Sequence, residues 1–146
     1  MVEFVCEERE DKIMTTRRAA CCCGLLTATV EGEPVRRSMC HCLECQRRTG
    51  SIFGVQARWP RGQVKLEGKA TKYTRAGDSG GKADLYFCPT CGSTVYWIPQ
   101  SQPDIVYVAV GAFADPTFPP PKFSVYESRR HPWSVLAEGM QVEHSD

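Results

Sequence analysis

From residue 25 the chain reads LLTATVE, in which Leu26, Ala28 and Val30 alternate with Thr27, Thr29 and Glu31. A period of two is that of a strand with one buried face. Gly32, Glu33 and Pro34 predict its turn, and residues 35–39 a second strand that delivers Cys40. Residues 43–49 predict a short helix, with Gly50 placed as its C-terminal stop. Further extended stretches are expected at 52–59, closed by Pro60-Arg61-Gly62, and at 64–67, 70–74, 83–87, 94–98 and 105–112. The run DPTFPPP at 115–121 must be irregular, because proline cannot continue a ladder. Residues 122–126 are expected as the last strand. Many short strands with frequent turns imply a mainly β fold, a single domain of short antiparallel strands with one short helix.

Composition narrows the class. The 146 residues suit one domain, and 42% apolar with 24% charged residues is the balance of a globular chain. The longest apolar run, 105–113, is far too short to span a bilayer. Residues 1–18 mix acids and bases without the apolar core of a secretion signal. They are expected to be a flexible charged leader before a domain at 19–146, and the chain is expected in the cytoplasm. A formal net charge of +1 gives no general reason to expect a nucleic-acid partner. Nothing in the sequence sets the oligomeric state.

Cysteine changes the picture, with nine residues in the chain. An odd number without an export signal argues for metal ligation rather than a disulfide framework. Cys88-Pro-Thr-Cys91-Gly92 is a zinc-knuckle sequence, in which two thiolates reach one ion across a tight turn. It needs a second pair, and Cys21 with Cys23 offers one, because alternate residues on an extended chain point the same way. Cys22 would then face elsewhere, though it could substitute for a neighbour. Cys21, Cys23, Cys88 and Cys91 make a closed four-sulfur set, hence a structural one. Cys40, Cys42 and Cys45 remain. The first two alternate on a strand end and the third lies one helical turn on, so three sulfurs can converge and leave a coordination position open, as in a catalytic zinc. His41 or Cys6 could close that site. Thiolate-rich ligation favours zinc, with iron as the competitor.

Together CCCG at 21, CHCLECQRRTGS at 40 and CPTCG at 88 resemble the signature of the glutathione-dependent formaldehyde-activating enzyme family, which also includes centromere protein V. The stretch HPWSVLAEGM from His131 is similar to the family's end, so the resemblance runs from about Ala20 to Val142. It implies an open β-rich architecture called a β-tent. It also implies two zinc ions, one on Cys21, Cys23, Cys88 and Cys91 and one on Cys40, Cys42 and Cys45. The activity implied is condensation of glutathione with formaldehyde to S-(hydroxymethyl)glutathione, a carbon–sulfur lyase reaction in reverse. Cys22 departs from the pattern, which usually has another residue there.

A small thiol such as glutathione carries carboxylates, and Arg47 and Arg48 follow Cys45 directly. On a short helix one of them is expected to face the cleft while the other stays solvated. Phe53 and Trp59 are expected in the core, Trp133 as a lid or a core anchor, and His131 and His144 at the surface. Tyr73, Tyr86 and Tyr96 are proton-donor candidates that nothing separates. The alternative class is a non-catalytic zinc module that binds a macromolecule. Scattered pairs such as Arg17-Arg18, Arg36-Arg37 and Arg129-Arg130 leave a folded basic patch open to it.

Overall fold

The computed structural model describes residues 14–77 and 79–146; Cys6 and residues 1–13 of the expected leader lie outside them. The strands are β1 (Thr16–Ala20), β2 (Thr27–Glu31), β3 (Arg36–Cys40), β4 (Gly54–Pro60), β5 (Val64–Glu67), β6 (Thr71–Ala76), β7 (Lys82–Phe87), β8 (Thr94–Pro99), β9 (Ile105–Ala109), β10 (Phe123–Val125) and β11 (Glu143–His144). The helix α1 is Leu43–Thr49. The fold is mainly β, as the alternating pattern requires.

Two sheets form. One has the order β1-β2-β5, the other β11-β10-β3-β4-β9-β8-β7-β6. Pairing is antiparallel except where β10 runs parallel to β3 and to β11. Ala28 and Val30 of the small sheet and Ala57, Trp59, Val106 and Val108 of the large one are fully buried in a common core. Trp59 satisfies its indole N–H on the Gly32 carbonyl at 3.0 Å, so its large apolar area is buried with no unpaired donor.

Because side chains alternate, the other face of the large sheet carries the residues between these core positions. On β3 they are Arg36, Ser38 and Cys40; on β4, Gln56 and Arg58. Register sets them side by side. Arg36 lies opposite Arg58, Ser38 opposite Gln56 and Cys40 opposite Gly54. Arg58 lies opposite Tyr107, and Tyr107 opposite Trp97. All of these except Gly54 line a cavity of about 410 Å³ on that face.

Three elements differ from expectation at their ends. The apolar stretch from Ile105 leaves the sheet at Ala109 and turns as a 3₁₀ segment, Val110–Phe113, which puts the Phe113 ring 5.8 Å from that of Trp59. Strand β10 is followed by β11, a two-residue parallel partner too short to leave a periodic signal. Strand β1 takes in Thr16, Arg17 and Arg18, assigned above to the leader: β1 pairs along its whole length with β2, and Arg17 meets Glu33 at 3.1 Å.

Candidate metal centres

The Sγ atoms of Cys21, Cys23, Cys88 and Cys91 lie within 4.8 Å of one another. Cys21 is 3.6 Å from Cys23, and Cys23 is 3.6 Å from Cys88. A tetrahedron with zinc–sulfur bonds of about 2.3 Å has sulfurs roughly 3.8 Å apart, so the spacing fits an ion and is far too long for disulfides. The local chain explains the convergence. The Leu26 N–H donates to Cys21 Sγ at 3.2 Å, and the knuckle closes through Gly92 N–H to the Cys88 carbonyl at 2.8 Å. Gly92 sits at φ +78°, which a residue with a Cβ rarely adopts. Cys22 is exposed and outside the group, its Sγ accepting from Ser93 Oγ at 3.0 Å. Ser93 in turn accepts from Cys91 Sγ at 3.4 Å. The Ser93 side chain and backbone and the Cys23 backbone hold the Cys91 thiol down to about 5.

Cys40, Cys42 and Cys45 form the second group, all three buried and with sulfurs within 4.8 Å. Cys40 ends β3. Cys42 is the N-cap of α1, and its sulfur accepts the Cys45 N–H at 3.3 Å, which turns the helix so that Cys45 returns to the same point. Gly50 closes the helix in the left-handed region at φ +68°. Ionisation of the trio is lopsided. Cys40 and Cys42, with the cations Arg48 and Arg75, bring the Cys45 thiol down to about 2. The Cys40 thiol is pushed far up, first by its contacts with Cys42 and Cys45 and then by burial. Three sulfurs this close cannot all ionise without a cation between them, and an all-sulfur donor set suits zinc.

His41 does not close this group. It is buried, its Nε2 is 3.0 Å from Ser124 Oγ, and its ring meets Phe53 edge-on at 6.1 Å. Burial lowers its pKa, so it is a neutral core histidine. The two helix arginines part, one outward and one inward, but neither lines the cavity that the trio opens into. Arg47 is exposed and pairs with Glu44 at 2.8 Å. Arg48 turns inward, its guanidinium 4.2 Å from the centre of the Trp97 ring. Gly54 makes room for it, since a Cβ there would stand 2.6 Å from Arg48 Nη2. Arg75, on β6, reaches to 3.8 Å from Cys45 Sγ.

The remaining candidates lie apart from the trio. Trp59 is in the core as expected, whereas Trp133 is 70% exposed and so serves neither as lid nor as core anchor. His131 meets Gln46 Oε1 at 3.0 Å, and His144 meets Glu127. Tyr86 and Tyr96 stack on each other at 4.8 Å, with Tyr96 in the core cluster, and Tyr73 is exposed. The tyrosines that line the cavity are Tyr107 and Tyr126. Tyr107, Trp97, Arg58 and Arg75 were not singled out from the sequence. The period-two pattern marks them as facing away from the core, yet only the strand order brings them to Cys45.

The family described as "Glutathione-dependent formaldehyde-activating enzyme" matches residues 16–129. The match starts four residues before the resemblance read from the cysteines and stops short of His131. No curated protein matches the chain. A crystal structure of a Rhodobacter sphaeroides protein is similar with a TM-score of 0.52 at 23% identity, over 70% of this chain and 91% of that one. At that identity the likeness concerns the fold.

Proposed function

Since the chain belongs to the glutathione-dependent formaldehyde-activating enzyme family, we propose that it joins a small thiol, glutathione in the first instance, to formaldehyde at the Cys40, Cys42 and Cys45 site. The carbon–sulfur bond forms between the thiol sulfur and the aldehyde carbon, and the thiol proton ends on the former carbonyl oxygen. In reverse this is a carbon–sulfur lyase step.

The observation that carries the reading is the difference between the two cysteine groups. One has four sulfurs and is complete. The other has three, and all three line a cavity that outside molecules can enter. Cys40, Cys42 and Cys45 would hold zinc there, and Cys21, Cys23, Cys88 and Cys91 a structural zinc. A zinc with three protein ligands supplies Lewis acidity and a position for a thiol. The chain's own contribution is electrostatic and steric. Arg48 and Arg75 set two fixed positive charges beside Cys45, which offset the excess negative charge of a sulfur-rich site and favour a thiolate over a thiol. Arg48 rests over the Trp97 ring, and Gly54 admits it. With thiols as ligands, a reducing compartment such as the cytoplasm suits the protein. Two sheets enclosing one core, with an open outer face on the larger, suit the β-tent architecture that the family implies.

The arginine pairs speak against the alternative of a macromolecule-binding module. Arg17 pairs with Glu33, Arg47 with Glu44 and Arg130 with Glu127, while Arg36, Arg58 and Arg75 line one cavity. A concave site for a small anion fits that distribution better than a broad face for a polyanion.

The test is exchange spectroscopy on a mixture of glutathione and carbon-13 formaldehyde. The protein should speed exchange between free aldehyde and S-(hydroxymethyl)glutathione, and the Cys42→Ser variant should return it to the spontaneous rate. Equal rates with and without the protein would refute the reading.

A further inference from the structure

Cys22 belongs to neither cysteine group, yet it is placed against one of them. It stands between two members of the four-sulfur set, Cys21 and Cys23, in the turn before β2. Four sulfurs already complete a tetrahedron, so a fifth thiol beside them adds nothing to ligation. Cys22 is exposed, and with Ser93 it lines a cavity of about 550 Å³.

One oxygen holds Cys22 next to the group. Ser93 Oγ accepts from the Cys22 N–H at 3.3 Å and donates to Cys22 Sγ at 3.0 Å. Cys91 Sγ meets the same oxygen at 3.4 Å. The two sulfurs are thus no further apart than those two sulfur–oxygen contacts laid end to end. Both thiols are exposed, and both sit in turns, Cys22 before β2 and Cys91 in the knuckle before β8. Turns open locally at lower cost than paired strands. Rotation of the Ser93 side chain clears the space between the sulfurs.

Geometry excludes the other described thiols as partners for Cys22. Cys21 and Cys23 adjoin it in sequence, where Cα atoms are about 3.8 Å apart. That is shorter than the roughly 4.4–6.8 Å that a disulfide spans. Cys88 is 1% exposed and lies in the core, and Cys40, Cys42 and Cys45 are buried in their own group. Cys91 remains.

We infer that Cys22 is a thiol–disulfide exchange site, which takes a small-molecule disulfide and passes the oxidation to Cys91. In the first step the Cys22 sulfur bonds to one sulfur of the small disulfide. The disulfide bond breaks, and the other half leaves as a thiol with the Cys22 proton. In the second step the Cys91 sulfur attacks the Cys22 sulfur. A Cys22–Cys91 bond forms, and the second half leaves as a thiolate that takes its proton from solvent. Two protein sulfurs are oxidised, and one small disulfide is reduced to two thiols.

The new bond withdraws Cys91 from the set of four. Cys21, Cys23 and Cys88 remain, too few to close a structural zinc site. The turn at 21–23 and the knuckle, which the four sulfurs bring together, are then tied covalently, so the fold keeps its cross-link while the metal is let go. The inference needs the four-sulfur group but no part of the reaction proposed above. It gives a role to the one cysteine by which the first motif departs from the family pattern.

The experiment treats the zinc-loaded whole chain with glutathione disulfide. Zinc release is followed with a chromogenic indicator, and disulfides are mapped by mass spectrometry of unreduced peptides. In wild type a linked pair of peptides containing Cys22 and Cys91 should accumulate as zinc is released, and dithiothreitol with added zinc should reverse both. Cys22→Ser should bind as much zinc as wild type, which shows that it is folded, and should release it at least roughly tenfold more slowly, since the exposed attacking thiol is gone. The linked pair is read in wild type alone, so the test stands even if the variant fails to fold. Zinc release as fast in Cys22→Ser as in wild type would overturn the inference. So would a glutathione adduct that stays on Cys22, cross-links through other cysteines in place of Cys22–Cys91, or a Cys22–Cys91 link that forms while all zinc stays bound.

Discussion

Sulfur atoms and guanidinium groups carry the account at the scale of single residues. Cys42 does two jobs: it belongs to the trio and caps α1 through the Cys45 N–H. Serine keeps the cap but is a poor zinc ligand, so Cys42→Ser is expected to lose one of two bound zinc ions while the far-ultraviolet dichroism stays unchanged; metal analysis after gel filtration checks this. Cys88→Ser should behave differently. It breaks the four-sulfur group that ties the 21–23 turn to the knuckle before β8, so the melting temperature should drop by more than about 10 °C, the result of losing several kcal/mol in a domain of this size. A drop no larger than that of Cys42→Ser would mean that the two groups do not differ in kind. Arg48 was legible as one of two candidates, and α1 decided between them by turning Arg47 out and Arg48 in. Arg75 was not legible, because it lies thirty residues from Cys45 in sequence and meets it only through the sheet.

At the scale of elements, glycine positions govern how the strands and helix meet. Helix α1 was legible to its boundaries, since Cys42 and Gly50 mark its two ends chemically. Strand β11 was not, because two residues carry no period. Gly54 lies opposite Cys40, and a side chain there would displace Arg48. Gly54→Ala is therefore expected to leave β4 paired but to weaken thiol binding several-fold, read by calorimetric titration of the zinc-loaded protein with glutathione. Gly68 is under a harder constraint. It follows β5 at φ +95°, and a Cβ there would lie 1.9 Å from the Leu25 carbonyl oxygen. Gly68→Ala should destabilise the protein by more than about 2 kcal/mol in urea denaturation, combining the left-handed strain with a backbone clash. A change below about 0.5 kcal/mol would show that the turn after β5 is not packed on Leu25 as described.

For the whole molecule, the sequence allowed the cysteines to be sorted into groups of four and three, because that sorting needs only local spacing. The cavity was not legible, since its wall comes from β3, β4, β6, β7, β8, β9 and β10, and strand order is a property of the assembled sheet. Both groups also set a pH dependence. The Cys91 thiol is held down to about 5, below its ordinary value of 9.0, mainly by Ser93. A group depressed on folding stabilises fully above its unfolded value, and that stabilisation is lost as pH falls through the folded one. Protons also compete with metal for the same sulfurs, so both effects have one sign. Acidification from pH 9 through pH 5 is expected to lower the melting temperature and release metal together; a melting temperature that rises over this range would contradict the assignment. The most direct test of the central claim is a crystal structure of the zinc-loaded protein with glutathione, with maps calculated from zinc anomalous scattering. Two peaks are expected, one inside Cys21, Cys23, Cys88 and Cys91, the other on Cys40, Cys42 and Cys45 with the glutathione sulfur as its fourth ligand. A second peak capped by a side chain of the protein itself, or no peak at the trio, would contradict it.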